Sequence, residues 1–276
     1  MAGQESLDTG SQSRWRALFV SDVHLGTRGC KAAALVDFLK AQRADTLYLV
    51  GDIVDGWRLK RRFYWHESHQ AVLDEILALA RRGTKVLYIP GNHDEAFRRY
   101  CGLNIAEVDI RYEAIHKSAD GRSFLVLHGD CFDGAARWGR IVSRFSDWAY
   151  DATMWTSDRL TASRKAMGMS HWSLAAHIKR TAKTALEIIS RFEAAAAREA
   201  EARGFDGVIC GHIHQAALKR MSRVTYCNDG DWVDSCTALA ESHDGRMVLL
   251  NADGKVIEAE TFRPALRPAP TAAIVA

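Results

Sequence analysis

Short apolar, β-branched runs punctuate the chain at Leu18–Val20, Thr46–Val50, Lys85–Ile89, Phe124–Leu127 and Gly207–Cys210. Longer stretches with apolar residues at helical spacing separate them, and the alternation predicts the strands and helices of an α/β layered sheet. From Asp133 to Gly204 the strand pattern stops, and about seventy residues without a proline carry helical periodicity instead. This predicts a helical cap inserted over about 134–203. In its first part Trp138, Ile141, Val142, Phe145, Trp148, Ala149 and Ala152 recur at i, i+3, i+4 and i+7, with Asp133 placed to cap the start. The later part, Ala-rich with alternating charges, reads as a largely solvated helix. Residues 1–13 are polar, and residues 264–276 hold three of the four prolines, so both ends are expected to be disordered around a folded domain over 14–263.

Composition narrows the class. Of 276 residues 47% are apolar and 26% charged, which excludes disordered, collagenous and coiled-coil chains. The net charge of +3 is too small for a nucleic-acid coat, and no nucleic-acid partner is expected, although a local basic patch could still meet an acidic partner. Six scattered cysteines without a C-x-x-C pair read as reduced thiols of a cytoplasmic protein. No run approaches the ~18–20 apolar residues of a membrane span, so any membrane contact is expected to be peripheral.

Each apolar run ends in polar residues: SDVH, GDIVD, PGNHD, HGD and GHIH. In open α/β sheets ligands bind outside the carboxyl ends of strands, so these five tips are expected to converge. Residues two apart in an extended segment point the same way, which would let Asp22 with His24, and His212 with His214, each face one point. Imidazole, carboxylate and amide oxygen together suit Mn²⁺, Fe or Zn²⁺, and there are too many donors for one ion. The reading is therefore two divalent metals bridged by Asp52: one held by Asp22, His24, Asp52 and His214, the other by Asp52, Asn92, His128 and His212. Two divalent ions against two aspartates and a hydroxide leave a single positive charge, which attracts an anion such as a phosphate ester. One lone G-H-x-H is as often a satisfied polar core pair. Five such motifs in order are not, because carboxylates and imidazoles buried together without a counter-ion are strongly destabilising.

The motifs Asp22-Val23-His24, Gly51-Asp52, Gly91-Asn92-His93-Asp94, His128-Gly129 and Gly211-His212-Ile213-His214 resemble the pattern of the calcineurin-like metallophosphoesterases, over residues 18 to about 250. The resemblance implies a four-layer α/β/β/α sandwich carrying the inserted helical cap. It also implies that His93 acts as general acid or phosphate stabiliser, oriented by Asp94. Within that superfamily Gly51-Asp52-Ile53-Val54-Asp55-Gly56-Trp57, His128-Gly129-Asp130 and Gly230-Asp231-Trp232 are similar to the UDP-2,3-diacylglucosamine pyrophosphohydrolases of lipid A synthesis. Val54-Asp55 and His93 stand where the best-known branch has a phenylalanine-glutamate pair and an arginine, so the likeness is to the second, divergent branch.

The implied activity is cleavage of the pyrophosphate of UDP-2,3-diacylglucosamine to UMP and 2,3-diacylglucosamine 1-phosphate, with two divalent ions, Mn²⁺ foremost. The implied partners are a nucleotide-linked glycolipid and the inner face of the cell membrane, and the oligomeric state stays open. The alternatives are another nucleotide-linked lipid, a soluble phosphodiester, or a metal-stabilised scaffold without activity. For such a substrate Trp148 and Trp155 of the cap are candidates to line an acyl trough, weighed against ordinary core packing. Arg58, opening the run Arg58, Lys60, Arg61, Arg62, is the candidate phosphate contact, weighed against a solvated face. His66 and His69 read as surface or packing residues on the next helix, and Asp130 and Asp231 as strand caps or supports for the ligands.

Overall fold

The computed structural model describes residues 14–134 and 174–261. The expected disordered ends, most of the predicted cap, and with it Trp138, Trp148 and Trp155, lie outside the described residues. The chain divides into two units, Met1–Asp130 with Ala197–Ala276, and Cys131–Ala196.

The first unit is an α/β sandwich. Its strands are β1 Arg14–Val20, β2 Arg43–Leu49, β3 Lys85–Tyr88, β4 Asn104–Ile105, β5 Val108–Ile110, β6 Ala114–Lys117 and β7 Ser123–Val126. After the second unit come β8 Gly207–Cys210, β9 Ala217–Met221, β10 Val224–Asn228, β11 Thr237–Glu241, β12 Met247–Asn251 and β13 Val256–Ala259. An eight-stranded sheet runs β13-β12-β11-β1-β2-β3-β5-β4, and a five-stranded sheet runs β6-β7-β8-β10-β9. Among the described residues, the α-helices lying wholly in this unit are α1 Ala32–Ala41, α2 Gly56–Arg61 and α3 Glu67–Arg81.

Two apolar clusters follow from the period-two alternation of strands buried on both faces. Along β1, Leu18 and Val20 join Leu35 and Phe38 of α1 and Val72 and Ile76 of α3. Ala17 and Phe19, pointing the other way, join Phe124, Val126 and Ile209 of the smaller sheet. Double burial explains why β1, β2, β3, β7 and β8 read as near-continuous apolar runs in the sequence. β1 to β3 are mutually parallel, as are β7 and β8. These are the five strands whose carboxyl ends carry the polar motifs.

Helix α4, Leu174–Ala202, begins in the second unit. Within that unit Phe132 and Phe192 meet edge-on at 5.7 Å. In the stretch read as largely solvated, Leu186, Arg198 and Glu201 are exposed, whereas Phe192, Ala196 and Ala200 are buried. Its alanines have small side chains that leave room for close packing, which a charge pattern alone does not reveal.

Candidate metal centre

The chain does not stay extended beyond the strands. Asp22, His24, Asp52, His212 and His214 all adopt the left-handed backbone region, with φ of 51°, 54°, 53°, 73° and 53°. For residues with a Cβ this costs about 1–2 kcal/mol each, and such strain gathers at functional sites. The expectation that Asp22–His24 and His212–His214 are aligned by extended backbone is therefore corrected: left-handed turns aim them. The segments after β1 and β2 remain paired through these turns, with the Asp22 and His24 amides donating to the Gly51 and Asp52 carbonyls at 3.0 and 2.9 Å. Neighbouring glycines let the segments close in. A Cβ on Gly91 would sit 2.3 Å from Asp52 Oδ1, and one on Gly211 would sit 2.4 Å from Asp22 Oδ2.

The side chains gather into adjoining groups. Asp22, His24 and His214 form one, and Asp52, His128 and His212 form another, with ligand atoms within 4.8 Å of one another in each. In the first, Asp22 Oδ1 lies 3.2 Å from His214 Nε2 and 3.8 Å from His24 Nε2. In the second, His128 Nε2 lies 3.3 Å from both Asp52 Oδ2 and His212 Nδ1. Asp52 Oδ2 is also 4.0 Å from His24 Nε2, so Asp52 stands between the groups. His212 and His214 diverge, one to each group, rather than facing a common point.

The donor chemistry fits divalent cations. Asp22 Oδ1 and Asn92 Oδ1 are buried without a hydrogen-bond partner, a state that a bound cation relieves. His128 Nδ1 donates to the Val50 carbonyl at 2.8 Å, and His24 Nδ1 lies 3.3 Å from Asp55 Oδ2. Both contacts put the proton on Nδ1 and aim the Nε2 lone pair into the site. Burial alone would raise Asp22 and Asp52, but His214 and His128 beside them hold both carboxyls well below the ordinary range. Burial works against charge on His214 and His128, yet Asp22 and Asp52 push His214 up to about 9 and His128 well above an ordinary imidazole. Without cations, protons fill their place.

His93 lies at the edge of these groups, sharing a third one with His24 and Asp52. Its backbone N–H donates to Asp52 Oδ1 at 2.8 Å. The expected orienting role of Asp94 goes to another residue. The Asp94 carboxylate accepts from the amides of Gly91 at 2.6 Å and Ile53 at 2.8 Å, which uses it up in holding two loops together. The carboxylate that reaches His93 Nδ1, at 3.1 Å, is Asp55 Oδ2. Asp55 accepts the Arg58 amide as the cap of α2 and so fixes that helix to His24 and His93 at once. Trp57, one residue into α2, lies against the His93 ring with centroids 4.2 Å apart.

The remaining candidates divide. The Arg58 side chain is exposed on α2. His66 caps α3, and buried His69 accepts from the Gly26 amide at 3.2 Å, so both serve packing. Asp130 pairs with Arg98 at 2.7 Å. Asp231 caps a turn, accepting from the Val233 and Asp234 amides at 2.8 and 2.6 Å. Three contributors escaped the sequence reading: Asp55, Ser21 and Asp229. The Ser21 hydroxyl lies 2.6 Å from Asp22 Oδ2 and 2.6 Å from Asp229 Oδ1, and burial pushes the Asp229 carboxyl well up. Only Asp55, three residues after Asp52 and just before a glycine and a helix, left a signal in the sequence.

A family profile described as calcineurin-like phosphoesterase matches residues 16–216. The UDP-2,3-diacylglucosamine hydrolase of Xanthomonas campestris pv. campestris (strain B100) is 26% identical over 248 residues, covering 83% of this chain and 96% of its own. The protein of the same name from Blochmanniella pennsylvanica is 25% identical over 213 residues, covering 75% of this chain and 82% of its own. Among solved structures, the phosphoesterase Yfce from E. coli is 12% identical and superposes with a TM-score of 0.47, covering 90% of this chain and 99% of that one.

Proposed function

Since the chain belongs to the calcineurin-like phosphoesterase family and so is a metal-dependent phosphoester hydrolase, we propose that it cleaves the pyrophosphate of UDP-2,3-diacylglucosamine, releasing UMP and 2,3-diacylglucosamine 1-phosphate. The observation that carries the substrate is the likeness to hydrolases of that name over most of both chains. Asp22, His24, Asp52 and His214 would hold one ion, and Asp52, Asn92, His128 and His212 the other. Mn²⁺ is the proposed occupant of a donor set that Fe and Zn²⁺ also accept. Divalent ions bound there supply an acidified water and charge neutralisation on phosphoryl oxygens.

The chain's own residues do the rest. Asp55 Oδ2 lies 3.1 Å from His93 Nδ1, so Nε2 is the ring nitrogen left to meet substrate. Burial disfavours charge on His93, but Asp55, Asp52 and Asp22 outweigh it and raise its pKa above the ordinary imidazole value. It is placed to protonate the leaving phosphate oxygen as general acid. Arg58, one turn along α2 from Asp55, is the proposed contact for the second phosphate. The substrate brings the protein to the inner membrane surface as a peripheral enzyme, and no helix among the described residues is long and apolar enough to cross a membrane.

The test offers the Mn²⁺-loaded full chain UDP-2,3-diacylglucosamine in mixed micelles and, separately, bis(p-nitrophenyl) phosphate. Stoichiometric UMP release, faster than cleavage of the soluble diester, is expected. An intact glycolipid beside rapid diester cleavage would assign a different phosphoester.

A further inference from the structure

Two surface segments of the first unit, 26–31 and 56–66, carry Arg28, Lys31, Arg58, Lys60, Arg61 and Arg62 and contain no carboxylate. All six cations are exposed. The segments pack on each other: a Cβ on Gly26 would lie 2.8 Å from Leu59 Cγ, and the Arg28 guanidinium sits 5.3 Å from the centroid of the Tyr64 ring. Within this cationic surface Phe63 is 78% exposed, the most exposed of the large apolar side chains among the described residues. Core packing accounts for neither feature. Cations draw a protein to anionic headgroups, and an aromatic ring beside them finds an apolar environment just below the headgroup level. The same patch adjoins the metal centre, because Asp55 ties α2 to His24 and His93.

We propose that this patch docks the protein on an anionic phospholipid surface, with Phe63 inserted and the basic side chains on the headgroups. This deepens the lipid-substrate reading and rests on it for its purpose. Docking here would place the metal centre beside the surface from which a membrane-held substrate must be taken.

The test is cosedimentation of the full metal-loaded chain with phosphatidylcholine vesicles, with and without phosphatidylglycerol. The comparison is among the native chain, the double variant Lys60→Glu/Arg61→Glu and the single variant Phe63→Ser. Binding to the anionic vesicles is expected to fall at least about fivefold for each cation removed, and severalfold for Phe63→Ser, whose exposed position spares the fold. Hydrolysis of soluble bis(p-nitrophenyl) phosphate by both variants is expected to match the native rate. Native-like vesicle binding by both variants, equal binding to neutral vesicles, or displacement from vesicles by a single-stranded nucleic acid would each overturn the proposal. Patch-dependent binding by a protein that leaves UDP-2,3-diacylglucosamine intact would support the patch and overturn the substrate reading instead.

Discussion

Asp55 illustrates how one side chain sets two functions. Its Oδ2 lies 3.3 Å from His24 Nδ1 and 3.1 Å from His93 Nδ1, so it bears on the tautomer of a proposed ligand and the orientation of the proposed acid together. Removing such a support typically lowers metal affinity or activity about 10–100-fold. Asp55→Asn is therefore expected to reduce kcat/KM by about that factor and to weaken Mn²⁺ binding in the same protein, as read by titration. Loss of activity with unchanged Mn²⁺ affinity would confine Asp55 to His93. The imidazoles carry a pH consequence. With no ion bound, Asp22 holds His214 up to about 9, so its proton is present at neutral pH and must leave when metal enters. Metal affinity should accordingly weaken as pH falls from about 9 toward 6. Calorimetry of Mn²⁺ binding at neutral pH, in two buffers of different ionisation enthalpy, should report proton release. Buffer-independent heats would count against histidine ligation.

At the scale of elements, the two sheets are joined by a buried polar knot remote from any expected ligand. Glu241 on β11 accepts from Arg16 on β1 at 2.6 Å and from the Ala119 amide at 2.7 Å, and its Oε2 lies 2.8 Å from His116 Nε2 on β6. Tyr48 on β2 closes the knot, its hydroxyl 3.1 Å from His116 Nδ1. Burial would raise Glu241, but His116, the Ala119 amide and Arg16 hold its carboxyl below the ordinary value of 4.5. A lowered carboxyl stabilises the fold fully above the unfolded value, so this contribution is lost as pH falls below 4.5. Glu241→Gln should cost about 1.5–3 kcal/mol, seen as a lower urea midpoint at pH 7 that converges on the native one in acid. The sequence reveals β1, β2, β3, β7 and β8 because burial on both faces makes them continuously apolar. It hides β11, whose Thr-Ala-Leu-Ala-Glu is four-fifths helix formers yet is buried at every position. It also hides β9, whose Ala-Leu-Lys-Arg-Met turns from buried to exposed along its length. Packing between sheets, absent from local propensity, decides both.

For the whole molecule, the centre exists only because two sheets, each with its own parallel strands, present carboxyl ends to one place. The candidate ligand types and their order along the chain are legible before any fold is known, because carboxylates and imidazoles buried together without a counter-ion are strongly destabilising. The left-handed turns, the divergence of His212 from His214 and the choice of Asp55 over Asp94 are not legible, because each depends on backbone angles and on neighbours distant in sequence. Cations that neutralise buried carboxylates also bind the folded state alone and stabilise it. Chelation should therefore lower Tm and abolish hydrolysis together, and added Mn²⁺ should restore both. Loss of activity without a shift in Tm would mean that the ions bind folded and unfolded chain alike.

The most direct measurement is the anomalous scattering of a crystal of the full chain grown with Mn²⁺. Two peaks about 3.5–4 Å apart are predicted, one against Asp22, His24 and His214 and one against His128 and His212, with Asp52 reaching both. A single peak, or none touching these residues at full Mn²⁺ loading, would contradict the account.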